Sequence, residues 1–185
     1  RAHKLSIGLA WKDCEILEVI KSELEYTGNV RKVKMKYKSE DYFMALLQFS
    51  CLQVVNDLRA LGIVENKSLI LKPWTGPDHL MRHYWRGVVD GDGCLTSCGE
   101  SQWQMNLAGN EFITKAFGTY CQCVSGTKAQ ARRAQQGNGW KVAFGGRQNV
   151  LSLVTHFYSD ATISLARKWS LAKRIMAGLP PEPKS

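Results

Sequence analysis

Residues His83–Leu95 read HYWRGVVDGDGCL, an apolar run that closes in Asp-Gly-Asp-Gly. Just upstream, Asp78 is suited to cap a helix over HLMRHYWRGVVD (79–90), with Leu80, Tyr84 and Val88 on one face at i, i+4 spacing. Gly87 inside that helix costs about 1 kcal/mol relative to alanine. Close approach of a second backbone is the usual compensation, so Gly87 and Val88 are the expected helix-packing positions. Gly91 and Gly93 are expected to unwind the helix end and turn the chain into the strand CLTSCG (94–99). Asp90 and Asp92 then fall at a helix C-terminus, where the macrodipole disfavours anions. Carboxylates in that place point to a bound cation, and a hard ion such as Mg²⁺ suits oxygen ligands. The alternative is a solvated Asp-Gly turn. An EF-hand loop is excluded, because Cys94 stands where a ligand is needed and Ser101 where the closing glutamate would fall.

On either side of this stretch the chain repeats itself. KLSIGLAWKD (4–13) reads as a strand, and CEILEVIKSELEYTG (14–28) as a helix with Ile16, Leu17, Ile20 and Leu24 at helical spacing and Gly28 as its stop. NVRKVKMKYK (29–38) and YFMALLQFS (42–50) are strands joined by the polar SED (39–41), and CLQVVNDLRALG (51–62) is a second helix. VENKSLILKPWTGPD (64–78) is a connector broken by Pro73, Gly76 and Pro77. After Leu95 the order returns: SQWQMNLAGN, EFITKAFGTYCQCV, TKAQARR, the turn QQGNG, WKVAFGG and NVLSLVTHFYS. Leu9 matches Leu107 and Val54 matches Val150, a near-constant offset of 96–98 residues. The chain is therefore α+β, two copies of a strand–helix–hairpin–helix unit. The second copy alone is preceded by the His83–Leu95 stretch.

Composition narrows the partners. At 185 residues, 44% hydrophobic and 22% charged, the chain suits one large domain or two small ones. No apolar run reaches the ~18–20 residues of a membrane span, and no basic-then-apolar leader opens the chain. An intracellular protein (cytoplasm or organelle), not secreted and without a membrane partner, is expected. The first residue is Arg1, so a trimmed N-terminus is expected as well. A net charge of +9 and a pI near 9.4 favour a polyanionic partner, since neutralising phosphates releases counterions. The alternative is a basic protein without such a partner. Six cysteines, at 14, 51, 94, 98, 121 and 123, form no Cys-x-x-Cys knuckle, and His156 has no partner histidine at ligand spacing. No structural zinc is expected, and the thiols are read as reduced.

YWRGVVDGDGC (84–94) resembles the signature of the LAGLIDADG homing endonuclease family, and the repeat extends the resemblance over nearly the whole chain. The resemblance implies two pseudo-symmetric αββαββα half-domains forming a DNA-binding β-saddle. The first, incomplete half would span 1–73, followed by a linker at 74–78, the second half at 79–178 and a tail at 179–185. It implies a site-specific double-stranded DNA endonuclease using Mg²⁺, with Mn²⁺ or Ca²⁺ able to occupy the same site. Asp92 matches the acid that ligates the catalytic metal, and the Gly91 carbonyl often joins it; Asp90 matches an acid that is more often structural. Lys67 and Lys168, at equivalent places in the repeat, match lysines that polarise water or stabilise the transition state, though either can be an ordinary surface lysine.

In that family the saddle strands lie in the DNA major groove. Lys32, Lys34, Lys36 and Lys38 alternate with Val33, Met35 and Tyr37 and so share one strand face, as do Lys128, Gln130 and Arg132 in the second copy. Arg on guanine and Gln on adenine are the favoured pairings, while most lysines contact phosphate. Lys141 is a further candidate, and Arg133 and Arg147 are weaker ones. The alternative is a solvated face that discourages edge pairing. A sole motif in mid-chain departs from the family. It implies a first motif helix and strand upstream in the native chain or on a second polypeptide, or else a DNA-binding remnant. Rival functions are a DNA- or intron-RNA-binding protein (maturase or regulator) that does not cleave, and a scaffold whose Asp-Gly repeat is a plain turn. Whether the gene lies in an intron, an intein or stands free is left open.

Overall fold

Alternating apolar residues in Lys4–Ala10 (β1) put Leu5, Ile7 and Leu9 on one side of an extended segment, and the rest of the first unit is built to cover that side. The structure, a computed structural model, describes residues 4–65, 67–98, 102–135 and 137–181, leaving aside the side chains of Tyr37 and Lys67. The chain parts into two compact units between Leu61 and Gly62.

In the first unit, α1 (Glu15–Glu23) packs Leu17 on Ala45 and Leu47, with Ile7, Leu9 and Ile20 around them. Strands β2 (Arg31–Tyr37) and β3 (Glu40–Ser50) complete an antiparallel sheet of order β1-β3-β2, and α2 (Leu52–Ala60) follows. The β2–β3 turn is tighter than SED. Lys38 and Ser39 alone make it, both at positive φ (47° and 70°), while Glu40 and Asp41 already pair with Tyr37 and Lys36. A two-residue turn with both central residues left-handed matches the twist of the flanking strands.

The second unit carries a short 3-10 turn (Lys67–Leu69), then α3 (Asp78–Asp92), β4 (Gly93–Cys98), β5 (Gln102–Gly109), α4 (Glu111–Ser125), β6 (Arg132–Arg133), β7 (Trp140–Gly145), α5 (Arg147–Tyr158) and α6 (Ala166–Met176). Its sheet runs β4-β5-β7-β6, all antiparallel. Trp85 and Val89 of α3, Met105 and Leu107 of β5, and Phe117, Phe144 and Phe157 form the middle of its core. The connector belongs to this unit. Asn110 accepts from Ile113 N (3.0 Å) as the α4 N-cap, while its amide donates to the carbonyls of Ser68 (3.2 Å) and Leu71 (2.9 Å). Those bonds tie Ser68 and Leu71 of the connector to the start of α4.

The repeat holds at the level of register. Leu9 faces Ala45 as Leu107 faces Val142, and Ile7 faces Leu47 as Met105 faces Phe144. The order β1-β3-β2 reproduces β5-β7-β6. Among the described residues, nothing pairs with β1 on the edge where β4 pairs with β5.

Two details of α3 differ from the sequence reading. Asp78 lies in the first turn, with Pro77 as the N-cap residue, so its carboxylate complements the helix dipole without capping a backbone N–H. The helix also runs unbroken through Gly91 to Asp92 and ends at Gly93. A Cβ at Gly93 would lie 2.6 Å from the Val89 carbonyl oxygen and 2.8 Å from its Cα, so only glycine lets the chain leave the helix there.

Helices α4 and α5 meet where the Tyr120 hydroxyl lies 2.8 Å from His156 Nε2. Burial lowers the His156 pKa from its ordinary 6.5, and the Arg82 charge adds to this while Asp160 opposes it. A lowered histidine favours the neutral ring in the folded state. Its contribution to stability is whole above pH 6.5 and is lost as the pH falls through the folded value. The urea midpoint of the second unit is expected to fall between pH 7 and pH 5, and His156→Gln to flatten that fall; an unchanged slope in the variant would clear His156 of the effect.

Candidate nucleic-acid interface and metal site

An α-helix leaves its last carbonyls without intrahelical partners, and at α3 a buried lysine takes them. Lys168, on α6 and 2% exposed, donates from Nζ to the carbonyls of Val89 (2.5 Å), Asp90 (2.7 Å) and Gly93 (2.7 Å). Beside it the Asp90 carboxylate, 8% exposed, accepts from the Tyr158 hydroxyl (2.6 Å) and from Leu165 N (3.0 Å). Burial pushes the Asp90 pKa up, while the Tyr158 and Leu165 hydrogen bonds and the Lys168 and Arg86 charges hold it back. Burial likewise pulls Lys168 down, with Arg167 adding to this and Asp90, Cys94 and Asp92 opposing. One cation that the helix end calls for is thus internal, the ammonium of Lys168.

This geometry corrects the catalytic assignment of Lys168. An ammonium has three N–H donors, and here each has a backbone carbonyl, so none is left for water or substrate. The residue shapes the end of α3 instead. Lys67 opens the 3-10 turn, and its side chain lies outside the described residues. Asp90 holds α5 and α6 to α3 and has no free edge toward solvent, as its structural reading requires.

Asp92, the last residue of α3, is exposed, and the Gly91 carbonyl belongs to the stretch whose neighbouring carbonyls Lys168 has taken. A carboxylate and a backbone carbonyl are hard oxygen donors that suit Mg²⁺, an ion that keeps several waters and substrate oxygens in its remaining positions. Among the described residues no group of three or more His, Cys, Asp or Glu gathers into an all-protein cage. The donors present therefore fit an ion completed by substrate. Gly87 and Gly91 lie exposed on α3 with nothing within 4 Å of an added Cβ, and Leu80 on the same helix is 39% exposed. Val88 is half-buried.

The sheet of the second unit has one face on the core and one open. Gln104, Asn106, Thr96 and Lys141 lie on the open face, since they alternate with the buried Met105, Leu107, Leu95 and Val142. Arg132 is paired with Lys141 and joins them. A groove of about 720 Å³ gathers Lys128, Gln130, Arg132 and Lys141, so these four predicted residues do come together. Arg133 is opposite Trp140, on the other side of the strand; it lines the same groove and donates to Asn138 Oδ1 (3.2 Å). Arg147 is elsewhere. At the start of α5, its guanidinium donates to the Gly178 carbonyl (3.2 Å), fastening the chain after α6 to α5. Arg147, a weaker DNA-binding candidate, is thus placed on α5 and not on a strand.

The first unit corrects the lysine stripe. Lys32, Lys34 and Lys36 do share a face, but they lie opposite Ala45, Phe43 and Asp41, which is the face α1 packs on. Lys32 Nζ sits 4.5 Å from the Phe43 ring centroid and 4.9 Å from that of Trp11, and Lys34 Nζ is 2.6 Å from Asp41 Oδ2. Lys38 is in the turn. The open face is lined instead by Ser6, Arg31, Val33, Met35, Met44, Leu46 and Gln48. Period-two alternation tells which residues share a face and not which face it is. The buried Ala45 and Leu47 on β3 carry that information, and from them Arg31, Gln48 and Ser6 were legible.

No protein-family model matches the chain, and no curated protein matches it either. Solved structures do. The I-LtrWI LAGLIDADG homing endonuclease bound to target DNA superposes with a TM-score of 0.58 at 10% identity, over 94% of this chain and 77% of that one. The meganuclease I-SmaMI bound to uncleaveable DNA gives 0.58 at 8% identity, over 94% and 78%. The N-terminal LAGLIDADG domain of DUF199/WhiA gives 0.55 at 10% identity, over 91% and 77%. With its two repeated antiparallel sheets and a helix ending in Asp-Gly-Asp-Gly, the chain has the LAGLIDADG fold.

Proposed function

We propose that this protein is a LAGLIDADG homing endonuclease that hydrolyses double-stranded DNA at a long, asymmetric site with the help of a divalent metal ion. The observation that carries the reading is Asp92. It stands exposed at the end of a helix whose other terminal groups are locked by Lys168 and Asp90, one residue before the strand that edges the open sheet. I-LtrWI and I-SmaMI, solved on DNA, support the same partner here. Asp92 and the Gly91 carbonyl hold the ion, Mg²⁺ with Mn²⁺ or Ca²⁺ as substitutes, and Lys67 is the lysine left to act on water. A divalent ion in that place generates the nucleophile from water and neutralises charge developing on the phosphodiester. Gln104, Asn106, Arg132 and Lys141 bind the duplex and fix its register. The enzyme acts inside the cell, where its six free cysteines stay reduced.

The open edge of β1 and the exposed Leu80, Gly87 and Gly91 on α3 are read as the places for a second motif helix and strand, from the native chain or a second polypeptide. Gly87→Ala and Gly91→Ala discriminate. Each is expected to leave the second unit as stable or up to about 1 kcal/mol more so, because alanine favours helix and meets nothing there. Each is expected to lower cleavage where a second helix must approach. Equal activity of both variants and wild type would remove the helix-packing role.

The test of function is incubation of the full-length protein with a randomised duplex pool in Mg²⁺ and in EDTA, followed by sequencing of the cut ends. Cleavage at one long site in Mg²⁺ only is expected. Tight binding without cutting in Mg²⁺ or Mn²⁺ would overturn it in favour of a nucleic-acid-binding protein on the same scaffold, a maturase or a regulator.

A further inference from the structure

Resting on that reading, we infer that Arg31 reads a guanine in one half of the target, that Gln48 and Ser6 position it, and that the equivalent place in the other half reads a different base. Arg31 Nη2 donates to Gln48 Oε1 (2.7 Å), and Gln48 Nε2 donates to Ser6 Oγ (2.7 Å). The chain of bonds crosses all three strands of the first sheet on its open face, from β2 over the central β3 to β1. Both ends of the Gln48 amide are engaged, so its orientation is fixed, with oxygen toward Arg31 and nitrogen toward Ser6.

The direction of this reach separates a base contact from a phosphate contact. Arg31 starts on an edge strand, and its guanidinium is drawn inward over the central β3. With the duplex laid on this face as proposed, a side chain held there meets base edges at the floor of a groove before the phosphates of its walls. One N–H is given to Gln48, and the rest of the planar fork stays available for guanine O6 and N7, the commonest specific contact. The surrounding surface is apolar: Leu46 lies opposite Arg31, with Val33 and Met44 beside it. Such a surface suits base edges and thymine methyls, and Leu46, Val33 and Met44 themselves carry no donor for a phosphate.

The repeat makes the contrast internal. By register, Gln48 corresponds to Gly145 and Ser6 to Gln104, and Gln130 lines the groove beside Gly145. Where the first sheet has a buttressed arginine, the second has two amides and no central side chain. Glutamine pairs with adenine N6 and N7, so the two half-sites differ at this level.

The experiment is selection of binding sites from a randomised duplex pool, in Ca²⁺, by the full-length protein and by Arg31→Ala and Gln48→Ala. The wild type is expected to enrich a non-palindromic site with an invariant guanine in one half. Arg31→Ala is expected to lose that preference alone and to bind the selected site about tenfold or more weakly, the discrimination of a bidentate base contact. Gln48→Ala is expected to blur the same position. Replacing that guanine with 7-deazaguanine should weaken the wild type and leave Arg31→Ala unaffected. An Arg31→Ala protein that loses affinity for every sequence alike, or a wild type indifferent to the deaza base, would make Arg31 a phosphate contact and overturn the inference. A wild type that enriches no duplex at all, or only RNA in a parallel pool, would overturn the DNA reading and, with it, the reading of guanine by Arg31.

Discussion

On the endonuclease reading, Asp92→Asn is expected to abolish cleavage while leaving DNA affinity in Ca²⁺ and the folding midpoint where they were. The change keeps shape and removes charge from an exposed side chain at the end of α3, so no packing is lost. The expected fall exceeds about 100-fold, because loss of an outer-shell partner of a metal ligand alone reaches that size. The comparison that makes it specific is Asp90→Asn, two residues earlier. Asp90 is buried on the Tyr158 hydroxyl and Leu165 N, so its substitution acts on stability first. Single-turnover cleavage and urea melts on the two variants separate the roles. An active Asp92→Asn enzyme would take the metal away from this helix end.

Lys168→Met unfolds the second unit at a markedly lower temperature. Methionine matches the length of the stem and cannot donate, which leaves three helix-terminal carbonyls and the Asp90 charge without their common partner. Breaking such a buried arrangement costs about 3–5 kcal/mol, which for a unit of this size lowers the melting temperature by roughly 10–15 °C. Lys168→Arg is not a rescue, because a planar fork does not converge on three carbonyls as a tetrahedral ammonium does. Adding Asp90→Asn to Lys168→Met is expected to cost less than the sum of the two, since the residues share one network. A melting temperature unchanged in Lys168→Met would show that the ammonium is not what closes α3.

Much of this was legible in the chain. The repeat showed through because buried positions recur in order, and Leu9–Ala45 against Leu107–Val142 gives that order in register. The motif helix showed through its apolar spacing and its terminal glycines. What was not legible depended on contacts far apart in sequence. Lys168 in LARKWSL looks like any solvent lysine, and nothing local says that α6 carries it under the end of α3. The helix-terminal acids were read as asking for a bound cation; the chain brings a cation of its own to this helix end, the Lys168 ammonium. The lysine ribbon failed differently. Alternation grouped Lys32, Lys34 and Lys36 correctly, but the sheet has two faces, and the apolar residues of β3 had to be consulted to choose between them.

The clamp on α3 also sets an order of events during synthesis. Asp92 leaves the ribosome before Lys168, whose ammonium settles the end of α3. A polypeptide released between the two holds the acidic motif without the group that shapes it. Truncated products, aborted messages and nascent chains still on the ribosome therefore display the Asp-Gly-Asp-Gly motif without its internal ammonium. The shape of this helix end thus waits on a residue far downstream of the motif, a dependence written into the topology.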